Sequence, residues 1–144
     1  MPTLGAFAAI FDEQARILLC HRTDRDMWNL PGGRVEPHEA PWQAVAREVE
    51  EETGLLVYVE ELIGVYAVPQ KQDIVFNFLC RKSGGALRLS EEADQLSWFH
   101  QKDVPSNTLP RHIERIHDAY SRSRSVCLKI QSLSDYPQHQ GQRP

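Results

Sequence analysis

The chain alternates between two hydrophobic periods. Short apolar runs with β-branched and aromatic residues, "LGAFAAIFD" (4–12) and "RILLCHR" (16–22), are parted by "EQA" and predict a β-hairpin. "TDRDMWNLPGG" (23–33) breaks the pattern with Pro31 and a glycine pair and predicts a loop. A helical period follows over 41–53, with Pro41 suited to the first turn and Gly54 placed to end it. Ala40 offers no side-chain oxygen as an N-cap, and Glu39 favours the positive end of the helix dipole. "LLVYVEELIGVYAV" (55–68) and "DIVFNFLCR" (73–81) return to strand composition. "KSGG" (82–85) predicts a turn into "ALRLS" (86–90), and "QLSWF" (95–99) a further short strand. "LPRHIERIHDAYSR" (109–122) predicts a second amphipathic helix, with Ile113, Ile116 and Tyr120 on its apolar face and His112 and His117 on a solvated one. "SVCLKIQSL" (125–133) predicts a last strand. The polar, proline-containing "SDYPQHQGQRP" (134–144) has too little apolar surface to order itself, so disorder is expected there. The order of elements predicts an α/β or α+β fold, a mixed β-sheet between helices, in one domain over 1–133.

Within the first helix the wheel separates two arcs. Trp42, Val45, Ala46 and Val49 form an apolar arc expected to pack on the sheet. Glu48, Glu51 and Glu52 share the next arc, Arg47 stands at its edge, and Glu50 points to solvent. Acids in the last turns oppose the helix dipole and repel one another by about a few tenths of a kcal/mol per pair. A solvated acidic face is the ordinary meaning of a charge run, but it would gain from alternating signs. A site for hard divalent cations removes the conflict, because Mg²⁺ takes carboxylate oxygens and is shared with phosphates.

Composition narrows the partners. The 144 residues carry a net charge of −4. That argues against bulk nucleic-acid binding and leaves room for small phosphorylated ligands. No apolar run reaches membrane-spanning length and no signal peptide opens the chain. Cys20, Cys80 and Cys127 are odd in number and lie among apolar or β-favouring neighbours, so reduced, buried thiols in a cytoplasmic protein are expected.

The spacing is more specific than the acidity. "GRVEPHEAPWQAVAREVEEETGL" (33–55) resembles the Nudix box at every defined position: Gly33, Glu39, Arg47, Glu48, Val49, Glu51, Glu52, Gly54 and Leu55. "LPGG" before it and "EEADQLSWFHQKDVP" (91–105) after it are similar to the usual neighbours of that box, and the resemblance covers about residues 4–130. It implies a Nudix-type α/β/α sandwich and a hydrolase that cleaves phosphoanhydride bonds in nucleoside di- or triphosphates, or in nucleoside diphosphates linked to another moiety. It implies Mg²⁺, or Mn²⁺, held by Glu48, Glu51, Glu52 and the Gly33 carbonyl. Arg47 then orients the carboxylates, with Glu39 in support. The general base is a box glutamate, Glu51 or Glu52, or a downstream acid among Glu91, Glu92 and Asp94, of which Glu92 is chosen. Arg22 and Arg34 fall where relatives hold phosphate, although either also reads as a plain surface arginine. Trp28, Tyr66, Phe76 and Phe78 are candidates for base stacking, Trp28 and Phe78 being preferred, although strand aromatics more often belong to the core. Glycines 32 and 33 also read as a tight turn into the helix. The expected partner is a nucleotide, with no bulk nucleic acid and no membrane, for a monomer or homodimer. Pro69 lies near where ADP-ribose pyrophosphatases tend to have a proline, and "KQD" (71–73) stands where some dinucleoside-polyphosphate hydrolases have a tyrosine. Triphosphates, oxidised triphosphates, ADP-ribose and dinucleoside polyphosphates all stay open. The competing reading is a non-catalytic nucleotide-binding module, which the complete set of box glutamates disfavours.

Overall fold

The computed structural model describes residues 2–121 and 125–133. Five strands, β1 (Thr3–Ile10), β4 (Gly32–Arg34), β5 (Leu55–Val68), β6 (Asp73–Gly85) and β8 (Cys127–Ile130), form a sheet in the order β4-β1-β6-β5-β8. The sheet is mixed: β1 runs parallel to β6 and β8 parallel to β5, while β4–β1 and β5–β6 are antiparallel. A smaller antiparallel sheet holds β3 (Trp28–Asn29), β2 (Ile17–Arg22) and β7 (Ala93–Phe99), in that order. Helix α1 spans Pro41–Thr53 and helix α2 spans Pro110–Ser121.

Alternation along the strands builds two cores. Ala6 and Ala8 of β1 and Phe78 and Cys80 of β6 pack with Val45 and Val49 of α1. Ala9 and Leu79, which point the other way, pack with Ile116 and Ala119 of α2. The helices therefore cover opposite faces of the larger sheet, the sandwich the sequence predicts. The smaller sheet contributes to both cores, Leu18 to the first and Ile17 and Leu19 to the second.

Local chemistry fixes both ends of α1. Gln43 Oε1 accepts the Ala40 N–H at 2.9 Å in place of a side-chain N-cap. Gly54 adopts φ 83° and donates its N–H to the Glu50 carbonyl at 2.9 Å.

Several expectations are corrected. The runs at 4–12 and 16–22 are not one hairpin. After a single bridge, Phe11↔Ile17, β1 and β2 part into different sheets. The expected loop at 23–33 contains β3 and the start of β4, the expected turn at 82–85 continues β6, and 86–90 forms no strand. Trp42 is 59% exposed. The buried residues of α1 are Ala44, Val45, Val49, Glu52 and Thr53, so the burying arc is centred about 55° away from Trp42. Helix α2 buries His112, Arg115, Ile116, Asp118 and Ala119, while Ile113 is exposed. His112 is not on a solvated face, because its Nδ1 accepts the Leu30 N–H at 3.0 Å. Cys20 and Cys80 are buried free thiols; Cys127 is free and half-buried. The expectation of a disordered tail falls outside the described residues. Among the described residues no helix is long and apolar enough to cross a membrane.

Candidate active site

The C-terminal half of α1 lies over β4 and β1, and this places its acids. Oxygens of Glu48, Glu52 and Glu92 lie within 4.8 Å of one another. Glu92 arrives from the loop before β7. Glu52 is 5% exposed, Glu48 half-buried and Glu92 exposed, so the cluster runs from the core to water. Glu52 Oε1 accepts the Gly32 N–H at 3.3 Å. Two glycines are required here. Gly32, at φ +150°, lets β4 approach β1 so closely that a Cβ would meet the Ala6 carbonyl oxygen at 2.3 Å. A Cβ on Gly33 would stand 2.5 Å from Glu48 Oε2, so the space that the carboxylate fills exists only because Gly33 has no side chain.

Arg47 ties the box together. Its Nε donates to Glu39 Oε2 at 2.7 Å and its Nη2 to Glu39 Oε1 at 3.0 Å, a bidentate pair. Nη1 donates to Glu51 Oε1 at 3.1 Å and, more weakly, to Glu48 Oε2 at 3.4 Å. Nη2 also reaches the Arg34 carbonyl at 3.0 Å. Glu39, whose acidity this pairing increases, serves the guanidinium rather than the helix end alone.

One cation does not balance the cluster. Burial, then the Glu48 charge, pushes the Glu52 carboxyl up to about 8, against the Gly32 N–H, and Glu92 and Glu51 add to the rise. Glu48 is also raised, by burial first; Arg47 opposes this while Glu92 and Glu51 reinforce it. Beside the cluster lies a cleft of about 340 Å³ lined by Glu51, Glu52, Arg88, Ser90, Glu91 and Glu92. Among the described residues, a roomier cleft lined by Phe11, Cys80 and Tyr120 contains none of the clustered acids.

The remaining sequence candidates are distributed unevenly. Glu51 lines the cleft but its side chain is 59% exposed and it stands outside the three-carboxylate cluster. Arg22 is paired bidentately with Asp24, both contacts at 2.7 Å, and it also feels the charges of Glu52 and Glu92. The exposed Arg34 guanidinium has no hydrogen bond or ion pair among the described residues. Trp28 is packed edge-on between His21 and Phe99, at 5.1 Å from each ring. Phe78 is buried in the first core, parallel to Phe76 at 6.2 Å, and Tyr66 is buried too. Those rings are packed as the core reading of strand aromatics has it.

Sequence reasoning missed Arg88. It lines the cleft and caps the last turn of α1, its backbone N–H reaching the Thr53 carbonyl at 2.8 Å and its Nη2 the Glu50 carbonyl at 3.4 Å. Arg88 lies far beyond the end of α1 in sequence, so no local signal marked it as the cation that meets the negative end of that helix.

A mixed α/β sandwich whose helix brings two carboxylates to a third beside a Gly-Gly strand is the arrangement that the resemblance to the Nudix box implies. Residues 1–120 match the NUDIX domain model. A MutT-like protein of Streptomyces ambofaciens is 40% identical over 117 residues, 81% of this chain and 76% of the relative. A putative 8-oxo-dGTP diphosphatase of Bacillus subtilis is 35% identical over 131 residues, 90% of this chain and 88% of the relative. The crystal structure of an ADP-ribose pyrophosphatase from Streptococcus suis superposes with a TM-score of 0.72 at 27% identity, covering 91% of this chain and all of that one. The chain belongs to the Nudix family, and it is a pyrophosphohydrolase acting on nucleotides. The family is typically dependent on divalent metals.

Proposed function

We propose that this chain hydrolyses a nucleoside triphosphate, an oxidised purine nucleotide first among the candidates, with Mg²⁺ or Mn²⁺ held by Glu48, Glu52 and Glu92. The convergence of those three carboxylates within 4.8 Å carries the reading. The donor set fits a hard cation: all ligands are carboxylate oxygens, Arg47 relieves their mutual repulsion only in part and at Glu48, and Gly33 clears room for one of them. The Gly33 carbonyl is a further oxygen of the same kind. When bound, such a cation neutralises the polyphosphate and lowers the pKa of water beside it.

The chain's own residues supply the rest. Arg47 holds Glu48 and Glu51 at fixed angles through the Glu39 pair. Glu51, which faces the cleft, accepts the proton of the attacking water. Arg34 and Arg88, and Arg22 on leaving Asp24, offer donors to phosphate oxygens that the acids would otherwise repel. Attack falls on phosphorus and leaves the glycosidic bond intact. The oxidised triphosphate is favoured by similarity to the Bacillus protein along nearly the whole of both chains. A second reading, ADP-ribose, is favoured by likeness to the Streptococcus structure.

Product analysis with NTPs, oxidised NTPs, ADP-ribose, NADH and diadenosine polyphosphates tests both readings. Pyrophosphate and a nucleoside monophosphate from an oxidised NTP are expected, with ¹⁸O from water in a phosphate product. Turnover that survives EDTA overturns the cation assignment, and preference for ADP-ribose overturns the triphosphate.

A further inference from the structure

The segment that brings Glu92 to α1 is held by side chains outside the box. Strands β2 and β7 pair in step from Ile17↔Phe99 to His21↔Gln95, and then Arg22 pairs with Ala93. Asp94 is thus the extra residue of a β-bulge, two positions after Glu92. Bulges at sheet ends re-aim side chains and are common beside active sites. Here the bulged residue is tied down: Asp94 Oδ1 lies 2.8 Å from His21 Nδ1. The other ring nitrogen, His21 Nε2, lies 2.8 Å from Asp26 Oδ1. Asn107 Nδ2 donates to the Asp26 side chain and carbonyl, each at 3.1 Å. The imidazole itself is only 12% exposed and Trp28 stands edge-on to it. Its two carboxylate partners, Asp26 foremost and then Asp94, hold its pKa above the ordinary value, and an acceptor at each ring nitrogen favours the doubly protonated ring. Nearby, Thr23 donates to the Glu91 carbonyl at 3.0 Å, and Ser90 Oγ accepts the N–H groups of Glu92 and Ala93 at 3.4 and 3.2 Å.

We propose that His21 is a positioning residue, which by bridging Asp26 and Asp94 fixes the bulge on β7 and thereby sets Glu92 beside Glu48 and Glu52. The inference rests on the reading of Glu92 as the third carboxylate of the cation site. Two of the three acids come preassembled on one helix. The third stands on a loop, where its position is fixed only by contacts such as these, and precise placement there is what a supporting shell supplies.

The test uses His21→Ala, Asp94→Ala and the double variant, with Glu92→Gln as reference. Hydrogen exchange of residues 90–94 in EDTA reads the clamp, and Mn²⁺ binding by electron paramagnetic resonance reads the site. Both single variants should speed exchange in that segment and weaken Mn²⁺ binding about tenfold, while kcat at saturating Mn²⁺ stays within about threefold. The double variant should be no worse than His21→Ala, because the contact that Asp94→Ala removes is already gone in that variant. Unchanged exchange in His21→Ala overturns the proposal. So does a general loss of thermal stability with Mn²⁺ affinity intact, which is the mark of a merely structural clamp. Intact Mn²⁺ binding in Glu92→Gln, with exchange still accelerated in His21→Ala, discards the Glu92 assignment and leaves the clamp.

Discussion

Helix α1 buries Glu52 beside Glu48, and helix α2 buries His112, Arg115 and Asp118. On α2 every charge has an answer. Asp118 accepts from the Tyr66 hydroxyl at 2.7 Å and from Lys129 Nζ at 2.8 Å. Arg115 donates twice to Gln131 Oε1, at 3.1 and 2.9 Å, with its guanidinium 5.4 Å from the Phe7 ring centre and 5.5 Å from that of Tyr66. Burial, with the Arg115 charge, keeps His112 neutral, as an acceptor must be. On α1 the charges that raise Glu52 have its own sign, and Arg47 answers Glu48 only at 3.4 Å. A satisfied polar network fixes a core, whereas an unsatisfied one needs a ligand. The difference separates structure from site more reliably than burial or charge count does.

The sharpest way to break the comparison is Glu52→Gln. Gln is nearly isosteric and helix propensity changes little. Turnover should fall about 10³-fold, since a neutral amide is a poor ligand for a hard cation. Initial rates at saturating Mg²⁺ check this. If rates persist, the α1 acids are no more functional than the α2 network.

The same residue should make the metal-free protein sensitive to pH. Glu52 titrates at about 8 in the fold against an ordinary value of 4.5. Between those values the folded chain holds a proton that the unfolded chain has lost. The contribution to stability is therefore complete below the lower value and falls away as pH rises through the upper one. The loss is about 3 kcal/mol, below the ceiling of about 5 that the full shift implies, because the cleft admits water. Denaturant melts in EDTA from pH 5 to 9 should show wild type losing stability relative to Glu52→Gln. Parallel curves would mean that the cluster is not frustrated.

On the α2 side, Arg115→Met should act in the opposite sense. Burial already lowers the Arg115 pKa to about 10, so part of the guanidinium's value is spent on desolvation. Removing it leaves Gln131 Oε1 buried without its donors, a loss of about 2 kcal/mol. Thermal melts should show that loss equally with EDTA and with Mg²⁺, and kcat should change little. A metal-dependent loss would join α2 to the site.

Local pattern carried much of this architecture. The 3.6-residue period and Gly54 place α1, the β-branched runs place β5 and β6, and box spacing identifies the acids. Pairing at long range was not legible. Nothing in "EQA" says that β1 and β2 will separate, and Glu92 could be named only as one of several downstream acids. Hydrophobic periodicity failed on α2 because His112, Arg115 and Asp118 sit where it expects apolar residues. It failed on α1 because Glu52 lies on the burying arc and Trp42 lies to one side of it. In both helices the error has one cause: a buried charge with a partner elsewhere in the chain, or with a ligand, reads locally as solvated. Arg88 escaped notice for a related reason, since its value comes from the helix end it meets, not from its neighbours in sequence.

Gly33→Ala gives the smallest effect and the finest test. The added methyl would stand 2.5 Å from Glu48 Oε2, too close for any contact, and 2.6 Å from its carboxyl carbon. Gly33 lacks the positive φ that strains an alanine at Gly32, so backbone strain adds nothing. The flexible Glu48 side chain must yield instead, and its carboxylate leaves the place where it meets Glu52 and Glu92. In EDTA that movement relieves repulsion, so stability should change by less than about 1 kcal/mol. With metal it costs ligand geometry, and the Mg²⁺ concentration giving half-maximal rate should rise about fivefold. Rates titrated with Mg²⁺, beside melts in EDTA, separate the two effects. If the variant unfolds readily while its Mg²⁺ requirement is unmoved, Gly33 serves the turn alone, and the room it gives Glu48 is incidental to the site.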